Sequence, residues 1–145
     1  MTQPNLYSDV NGEYRGTDKK VHKADFDYYT VFSLWDTYRA YHPLMTIIDQ
    51  KRTNNWIKTF QKQYDDGGIL PVWELSGNET YCMIGYHSVP VITDAVMKGI
   101  GDFDKESIFK AMKGSAMKDH LGLKEYREFN FVPGDLEHES VSKTL

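Results

Sequence analysis

The chain has 145 residues, of which 40% are hydrophobic and 26% are charged, so it is long enough to bury the core of one soluble globular domain. Its formal net charge of -4 and its scattered Lys and Arg residues provide no basic stripe for a nucleic-acid backbone. A single cysteine, Cys82, excludes an internal disulfide framework, and no apolar run is long enough to span a membrane. We therefore expect neither a nucleic-acid nor a membrane partner.

The first thirty residues are predicted to be extended. Asn11 and Gly12 form a dipeptide typical of tight turns, and the stretch HKADFDYYTVFSLW passes from polar alternation into a β-branched and aromatic run. The opening MTQPNLYSDVNGEYRG contains no apolar core of a signal peptide. These features predict a hairpin or irregular loop that leads into the domain.

Helical spacing begins at about Asp36, and Pro43 is expected to kink or end the first helical segment. The residues at that spacing are Trp35, Tyr38, Arg39, His42 and Thr46. Asp49 is a suitable N-cap for a second helix, which Gly67 and Gly68 should end. Its predicted apolar stripe consists of Trp56, Ile57, Phe60 and Tyr64.

The rest of the chain is predicted to be helical with short connections. ILPVWELSGNET is too short and too broken for a helix, which favours a loop, whereas YCMIGYHSVPVITDAVMKGI resumes a helical pattern with Pro90 as an irregularity. A further helix should start after Asp104, with Ile108, Phe109 and Met112 on one face and Gly114 weakening its later part. PGDLEHESVSKTL should form a turn followed by the start of a short helix.

Polar residues concentrate between positions 72 and 88, and two interpretations of them remain open. Glu74 and Glu79 flank Gly77 and Asn78, a pair suited to a left-handed turn, so that both carboxylates could face one cavity. Alternatively, Asn78, Glu79 and Thr80 could cap a helix that begins near Tyr81.

Trp35, Asp36 and Arg39 form a second polar group, which also has two interpretations. Asp36 and Arg39 are three residues apart and could form an ordinary ion pair on one helix face. The high aromatic content of 14% is compatible with core packing, but sugar-binding sites also combine aromatic rings with carboxylates. If both polar groups belong to one site, Asp36 should approach a common cavity with Glu74 or Glu79.

Four stretches of the sequence resemble the catalytic domain of glycoside hydrolase family 92 (GH92), the calcium-dependent exo-α-mannosidases. They are VNGEYRG, YYTVFSLWDTYRAYHPLMTIID, GGILPVWELSGNETYCMIGYHSVPVITDA and the following KGI. SLWDTYR and WELSGNET are the most specific strings. The resemblance extends from about Asp9 to the end and leaves residues 1–8 outside, so residues 1–145 are interpreted as a partial catalytic domain.

The resemblance implies a mainly α fold, part of an (α/α)6 barrel, with an extended N-terminal segment. In the family this barrel follows a β-sandwich domain, and the enzymes invert the anomeric centre with a general acid and a general base. The family's general acid lies in a Glu-Gly-Asn motif and its base is a later aspartate. SGNETYC contains Gly-Asn-Glu in that order and is therefore not the acid motif. We expect both catalytic groups to lie outside this chain, with no catalytic residue within it.

The resemblance also implies a role for this chain in binding an α-mannoside glycan. The candidate substrate-binding residues are Trp35, Asp36, Arg39, Glu74, Asn78, Glu79 and His87, of which Trp35 and Asp36 are the strongest. Calcium is implied as the cofactor, with ligands mostly outside the chain and Asn78 or Glu79 at most within it. The partners are the remainder of the catalytic domain and the β-sandwich domain, and family members are typically secreted, periplasmic or surface-associated.

Two other classes of function remain open. The chain could bind glycans without catalysing their hydrolysis, or it could be a helical scaffold that binds no ligand. If substitution of Asp36 or Glu79 abolishes sugar binding, the first class is supported. A scaffold would lose no binding on either substitution.

Overall fold

The computed structural model describes residues 3–83 and 85–136, and this part of the chain is mostly helical. Its helices are α1 (Leu34–Thr37), α2 (Tyr41–Ile48), α3 (Gln50–Gly67), α4 (Ser88–Met97), α5 (Lys105–Met117) and α6 (Leu123–Phe129). Its short strands are β1 (Asn5–Leu6), β2 (Glu13–Arg15), β3 (Val21–Lys23), β4 (Tyr29–Thr30), β5 (Phe32–Ser33), β6 (Trp73–Leu75) and β7 (Asn78–Glu79). The predicted helical character with an extended N-terminal segment is confirmed.

The strands form three small antiparallel sheets rather than one large layer. β1 pairs with β4, β2 pairs with β3, and β6 lies between β5 and β7. Gly12 makes the predicted turn before β2 with φ +83°, and the Asn11 side-chain carbonyl accepts the Glu13 N–H at 3.0 Å. The short strands therefore fold the N-terminal segment back onto the helices.

Helix α3 is the centre of the core, and its predicted limits and stripe are confirmed. The Asp49 carboxylate accepts the Arg52 N–H at 3.0 Å, and Gly68 ends the helix with φ +72°. Trp56, Ile57 and Phe60 are fully buried. Because α3 contacts α2, α4 and α5, it provides the rigid support on which the loops are positioned.

Three predicted boundaries are wrong. The first helical segment ends at Thr37 and not at Pro43, which lies in the first turn of α2. Residues 73–79 form a β-hairpin instead of a loop, because β5 supplies a third strand from forty residues earlier in the chain. Helix α4 begins at Ser88 and not near Tyr81, because Tyr81 and Gly85 have φ values of +50° and +80°, which a right-handed helix does not accommodate. Pro90 lies in the first turn of α4, where it removes no helical hydrogen bond.

Helix α5 starts as predicted, but its apolar face is narrower than expected. The Asp104 carboxylate accepts the N–H groups of Glu106 and Ser107 at the N-terminus. Ile108 is buried, whereas the next residue, Phe109, is 58% exposed because successive helical residues differ in direction by about 100°.

None of the described helices is both long and apolar enough to cross a bilayer. The predicted turn at Pro133 is present, and the predicted short helix after it lies outside the described residues.

Candidate functional site

Four side chains from two distant segments form a cluster where α1 and the two residues that follow it meet the N-terminal end of α4. The His87 ring lies 5.1 Å from the Trp35 ring and 4.3 Å from the Tyr38 ring, measured between centroids. The Arg39 guanidinium carbon lies 4.4 Å from the Trp35 ring centroid. We call Trp35, Tyr38, Arg39 and His87 the ring cluster.

Asp36 is exposed beside the ring cluster and has a local hydrogen-bond partner. Its carboxylate accepts a hydrogen bond from the Ser33 hydroxyl. The alternative of an Asp36–Arg39 ion pair does not form, because α1 ends at Thr37 and the Arg39 guanidinium lies over the Trp35 ring instead. Within the described part of the chain the second carboxylate oxygen of Asp36 has no partner, so it can accept hydrogen bonds from a ligand.

The backbone around His87 explains how this residue reaches α1. Gly85 has φ +80°, and a Cβ atom at that position would lie 2.3 Å from the His87 Cε1 atom. Any side chain at position 85 would thus displace the imidazole. Gly85 permits the tight approach that directs the His87 ring towards Trp35 and Tyr38.

Glu74 occupies a different environment, because its carboxylate is fully buried. It accepts hydrogen bonds from the Thr30 hydroxyl at 2.9 Å, the Val31 N–H at 3.2 Å and the Gly77 N–H at 2.7 Å. Burial raises the pKa of the Glu74 carboxyl from 4.5 to about 7, although these donors oppose the change. Val31 has φ +65°, which is rare for a β-branched residue, so Glu74 helps to hold a strained backbone reversal between β4 and β5.

Glu79 has a similar role at the other end of the hairpin. Its carboxylate accepts the N–H groups of Val72, Trp73 and Tyr81 at 2.8 to 2.9 Å. The predicted helix cap at Asn78, Glu79 and Thr80 is wrong, because no helix starts at Tyr81. The N–H groups that Glu79 accepts lie at the start of β6 and just after β7.

The turn of the hairpin also differs from the prediction by one residue. Ser76 and Gly77 have φ values of +49° and +75°, and Leu75 pairs with Asn78 across the turn. Two central residues with positive φ suit the twist of a tight β-hairpin. Ser76 and Gly77, rather than Gly77 and Asn78, therefore reverse the chain.

A cavity of about 220 Å³ lies beside this hairpin. Its walls are formed by Thr17, Lys19, Gln63, Gly67, Ile69, Pro71, Glu74, Asn78, Glu79 and Tyr81. The cavity therefore brings together three of the predicted site residues. Trp35, Asp36, Arg39 and His87 do not line it, so the structure divides the predicted set into two groups.

Sequence reasoning missed two contributors to these groups. Tyr38 completes the ring cluster, and its spacing of three residues from Trp35 was the available signal. Lys19 enters the cavity wall, where its ammonium donates to the Gly77 carbonyl at 2.6 Å and to the Asn78 side-chain carbonyl. No local pattern predicts Lys19, because 58 positions separate it from Gly77.

The residues named as possible calcium ligands do not fit that ion. Both Glu79 oxygens accept backbone N–H groups, and the Asn78 carbonyl oxygen accepts from the positively charged Lys19. Calcium requires six to eight oxygen ligands, and an ammonium group at the same oxygen opposes its binding. Neither residue thus provides a calcium site in this arrangement.

Comparison with known proteins defines the class of this chain as a glycoside hydrolase. The family model of the glycosyl hydrolase family 92 catalytic domain matches residues 1–145. The chain belongs to glycoside hydrolase family 92. No curated protein matches the chain.

Solved structures of α-mannosidases resemble the chain closely. A family GH92 α-mannosidase from Bacteroides thetaiotaomicron, solved in complex with mannoimidazole, is 46% identical with a TM-score of 0.92, and the match covers 97% of this chain and 19% of that chain. A second structure of the same mannosidase gives the same identity and TM-score, with 20% of its chain covered. A family GH92 inverting mannosidase from Bacteroides thetaiotaomicron VPI-5482 is 31% identical with a TM-score of 0.78, and the match covers 90% of this chain and 19% of that one. The chain spans about a fifth of the length of these relatives.

Proposed function

We propose that this chain forms part of the mannose-binding wall of an inverting GH92 α-mannosidase, within an (α/α)6 barrel. The observation that carries the proposal is the ring cluster with the exposed Asp36 carboxylate beside it. Membership of a family whose solved relatives are α-mannosidases supports mannose as the sugar.

The chemistry of the ring cluster suits a sugar. A flat aromatic face packs against the apolar C–H face of a pyranose ring, and in our proposal the sugar uses the Trp35 face opposite the Arg39 guanidinium. An ionised carboxylate accepts hydrogen bonds from two adjacent hydroxyls, and Arg39 offers several N–H donors in a fixed plane. We assign Asp36 to hydroxyl recognition, Trp35 to stacking, and Arg39 and His87 to polar contacts at the rim of the sugar.

Glu74, Asn78 and Glu79 support this wall in our proposal without reaching the sugar. The carboxylates of Glu74 and Glu79 accept backbone N–H groups, and the Asn78 side chain donates to the carbonyls of Leu75 and Ser76. Because β6 pairs with β5 and β5 leads directly into α1, a rigid hairpin fixes the start of the helix that carries Trp35 and Asp36. We therefore propose that they are positioning residues.

The proposal leaves the general acid, the general base and the calcium ligands to other parts of the catalytic domain. Inversion requires a proton donor on the leaving oxygen and a base on the opposite face of the sugar. Each of these roles contributes about 10²- to 10⁴-fold to the rate. The 145-residue chain alone should consequently release no mannose from an α-linked disaccharide in the presence of calcium. Calcium-dependent release that disappears in Asp36→Ala would contradict this assignment.

Sugar binding tests the wall directly. Saturation-transfer NMR with methyl α-mannoside should show binding to the chain that is lost in Asp36→Asn and in Trp35→Ala. Asp102→Asn is the matched control, because the Asp102 side chain is 91% exposed and lies away from the ring cluster in the loop before α5. Equal signals for wild type and Asp36→Asn would exclude the proposed wall, and so would equal binding of methyl α-glucoside.

A further inference from the structure

A second group of polar side chains lies outside the ring cluster, where the β2–β3 hairpin meets the end of α3. Asp18 is in the loop of that hairpin, His22 is on β3, and Asp66 is in the last turn of α3. The His22 Nε2 atom lies 2.9 Å from Asp18 Oδ1 and 3.8 Å from Asp66 Oδ1. One ligand atom from each residue lies within 4.8 Å of the other two.

The Asp66 carboxylate is the least satisfied member of this group. Its side chain is only 10% exposed, and its Oδ2 atom is buried without a hydrogen-bond partner among residues 3–83 and 85–136. Burying an unpaired carboxylate oxygen is costly, and burial raises the pKa of Asp66 accordingly. A cation bound at this oxygen would remove the cost.

The three side chains converge beside the Gly16 backbone, in a region of negative potential. A Cβ atom on Gly16 would lie 2.6 Å from Asp66 Oδ2, 2.8 Å from the His22 ring and 2.9 Å from Asp18 Oδ1, so all three side chains converge on a position that has no side chain. Burial and the nearby carboxylates of Asp66, Asp65 and Asp18 raise the pKa of Tyr14 above its usual range. The neighbouring Lys20 is largely exposed, and its ammonium is 3.7 Å from the other Asp18 oxygen, so solvent screens its charge.

We propose that Asp18, His22 and Asp66 form a binding site for a divalent transition-metal ion of the zinc type. One imidazole and two carboxylates give three protein ligands, and a fourth position remains for water. Ligand atoms on one tetrahedral zinc ion lie roughly 3.3 Å apart, since its metal–ligand distances are near 2 Å. The two distances measured from His22 bracket this value. A nitrogen ligand and only two carboxylates favour such an ion over calcium.

The proposed ion would act as a structural clip. It would join the β2–β3 hairpin to the C-terminal end of α3, two elements that are more than forty residues apart in sequence. It would also neutralise the repulsion between Asp18 and Asp66. The positions next to these ligands, Thr17, Lys19 and Gly67, line the cavity beside the β6–β7 hairpin, so the clip would stabilise that wall too.

Zinc titration of the chain tests the proposal. The exposed Cys82 is first replaced by serine, because a free thiol is itself a zinc ligand. After chelator treatment, isothermal titration at pH 7.5 with ZnCl₂ should show one saturable site, and zinc should raise the melting temperature. Asp66→Asn and His22→Gln should each weaken zinc binding at least about tenfold.

Controls separate this site from other effects of the substitutions. His120→Gln and Asp102→Asn should leave zinc affinity unchanged, and circular dichroism verifies that each variant is folded. A variant that does not fold is replaced by Asp18→Asn, which should show the same loss. Unchanged zinc affinity in the folded ligand variants would overturn the proposal and leave the group as a histidine–carboxylate ion pair. Calcium binding that survives His22→Gln would overturn the assignment to a transition metal.

Discussion

The two regions that contain the candidate residues use carboxylates in opposite ways. At the β6–β7 hairpin, the Glu74 carboxylate is fully buried and accepts one hydroxyl and two backbone N–H groups. At the start of α1, Asp36 is exposed and has one side-chain partner within its own turn. A buried carboxylate with satisfied oxygens stabilises the fold, whereas an exposed one with free acceptor capacity is suited to bind a ligand.

Glu74→Ala should give the largest effect on stability. The substitution leaves the Val31 and Gly77 N–H groups and the Thr30 hydroxyl without their acceptor, and it opens a cavity. We expect a loss of about 3–5 kcal/mol in the free energy of unfolding. Urea unfolding followed by circular dichroism measures it. A loss no larger than that of Asp36→Ala would remove the distinction between the two regions.

The pH dependence of stability should also identify Glu74. Its pKa in the folded chain, about 7, lies above the ordinary value of 4.5, so the folded state holds the proton more tightly. The resulting stabilisation is fully present below pH 4.5 and is lost as the pH rises through 7. It amounts to roughly 3 kcal/mol at 1.36 kcal/mol per pKa unit.

Glu74→Gln cannot titrate, so it provides the reference for this measurement. The difference in unfolding free energy between wild type and Glu74→Gln should decrease between pH 4.5 and 8. A difference that stays constant with pH would show that Glu74 has an ordinary pKa in the folded chain.

Gly77→Ala should destabilise the hairpin by about 2 kcal/mol. Position 77 has φ +75°, and a Cβ atom there would lie 2.9 Å from the Arg15 carbonyl oxygen. Gly99→Ala is a matched control, because Gly99 has φ +80° and no atom of the described residues lies within 4 Å of its added Cβ. Thermal unfolding of both variants separates the cost of a positive φ from the cost of the close contact with the Arg15 carbonyl. Equal decreases in stability would show that this contact with β2 is unimportant.

Asp36→Ala should have the smallest effect on stability, about 0.5 kcal/mol or less, because the side chain is exposed. The substitution should nevertheless abolish binding of methyl α-mannoside. Urea unfolding and saturation-transfer NMR on the same sample test the two halves of this prediction. A stability loss above about 2 kcal/mol would place Asp36 with Glu74 among the structural carboxylates.

The sequence could predict those parts of the fold that depend on local signals. Asp49 and Gly68 set the ends of α3, and Asp104 sets the start of α5, because caps act on backbone groups within a few residues. The family was also recognisable from SLWDTYR and WELSGNET. The turn residues of the hairpin were placed one position too late, since its register depends on β5 as well as on the turn.

Contacts between distant segments could not be predicted in this way. The strand character of Trp73–Leu75 depends on pairing with Phe32 and Ser33, and the approach of His87 to Trp35 depends on the backbone at Gly85. Residue periodicity reports only which side of an element is apolar, not what lies opposite it. This is why the predicted loop proved to be a hairpin and the predicted single cavity proved to be two groups.

By itself the sequence determined the family, the mostly helical character and the caps of α3 and α5. Only the tertiary structure decided that Glu74 and Glu79 hold backbone reversals, that Arg39 covers Trp35 in place of pairing with Asp36, and that Asp18, His22 and Asp66 converge. The physical reason is that burial and hydrogen-bond partners determine what a carboxylate does, and both are supplied by residues far away in the sequence.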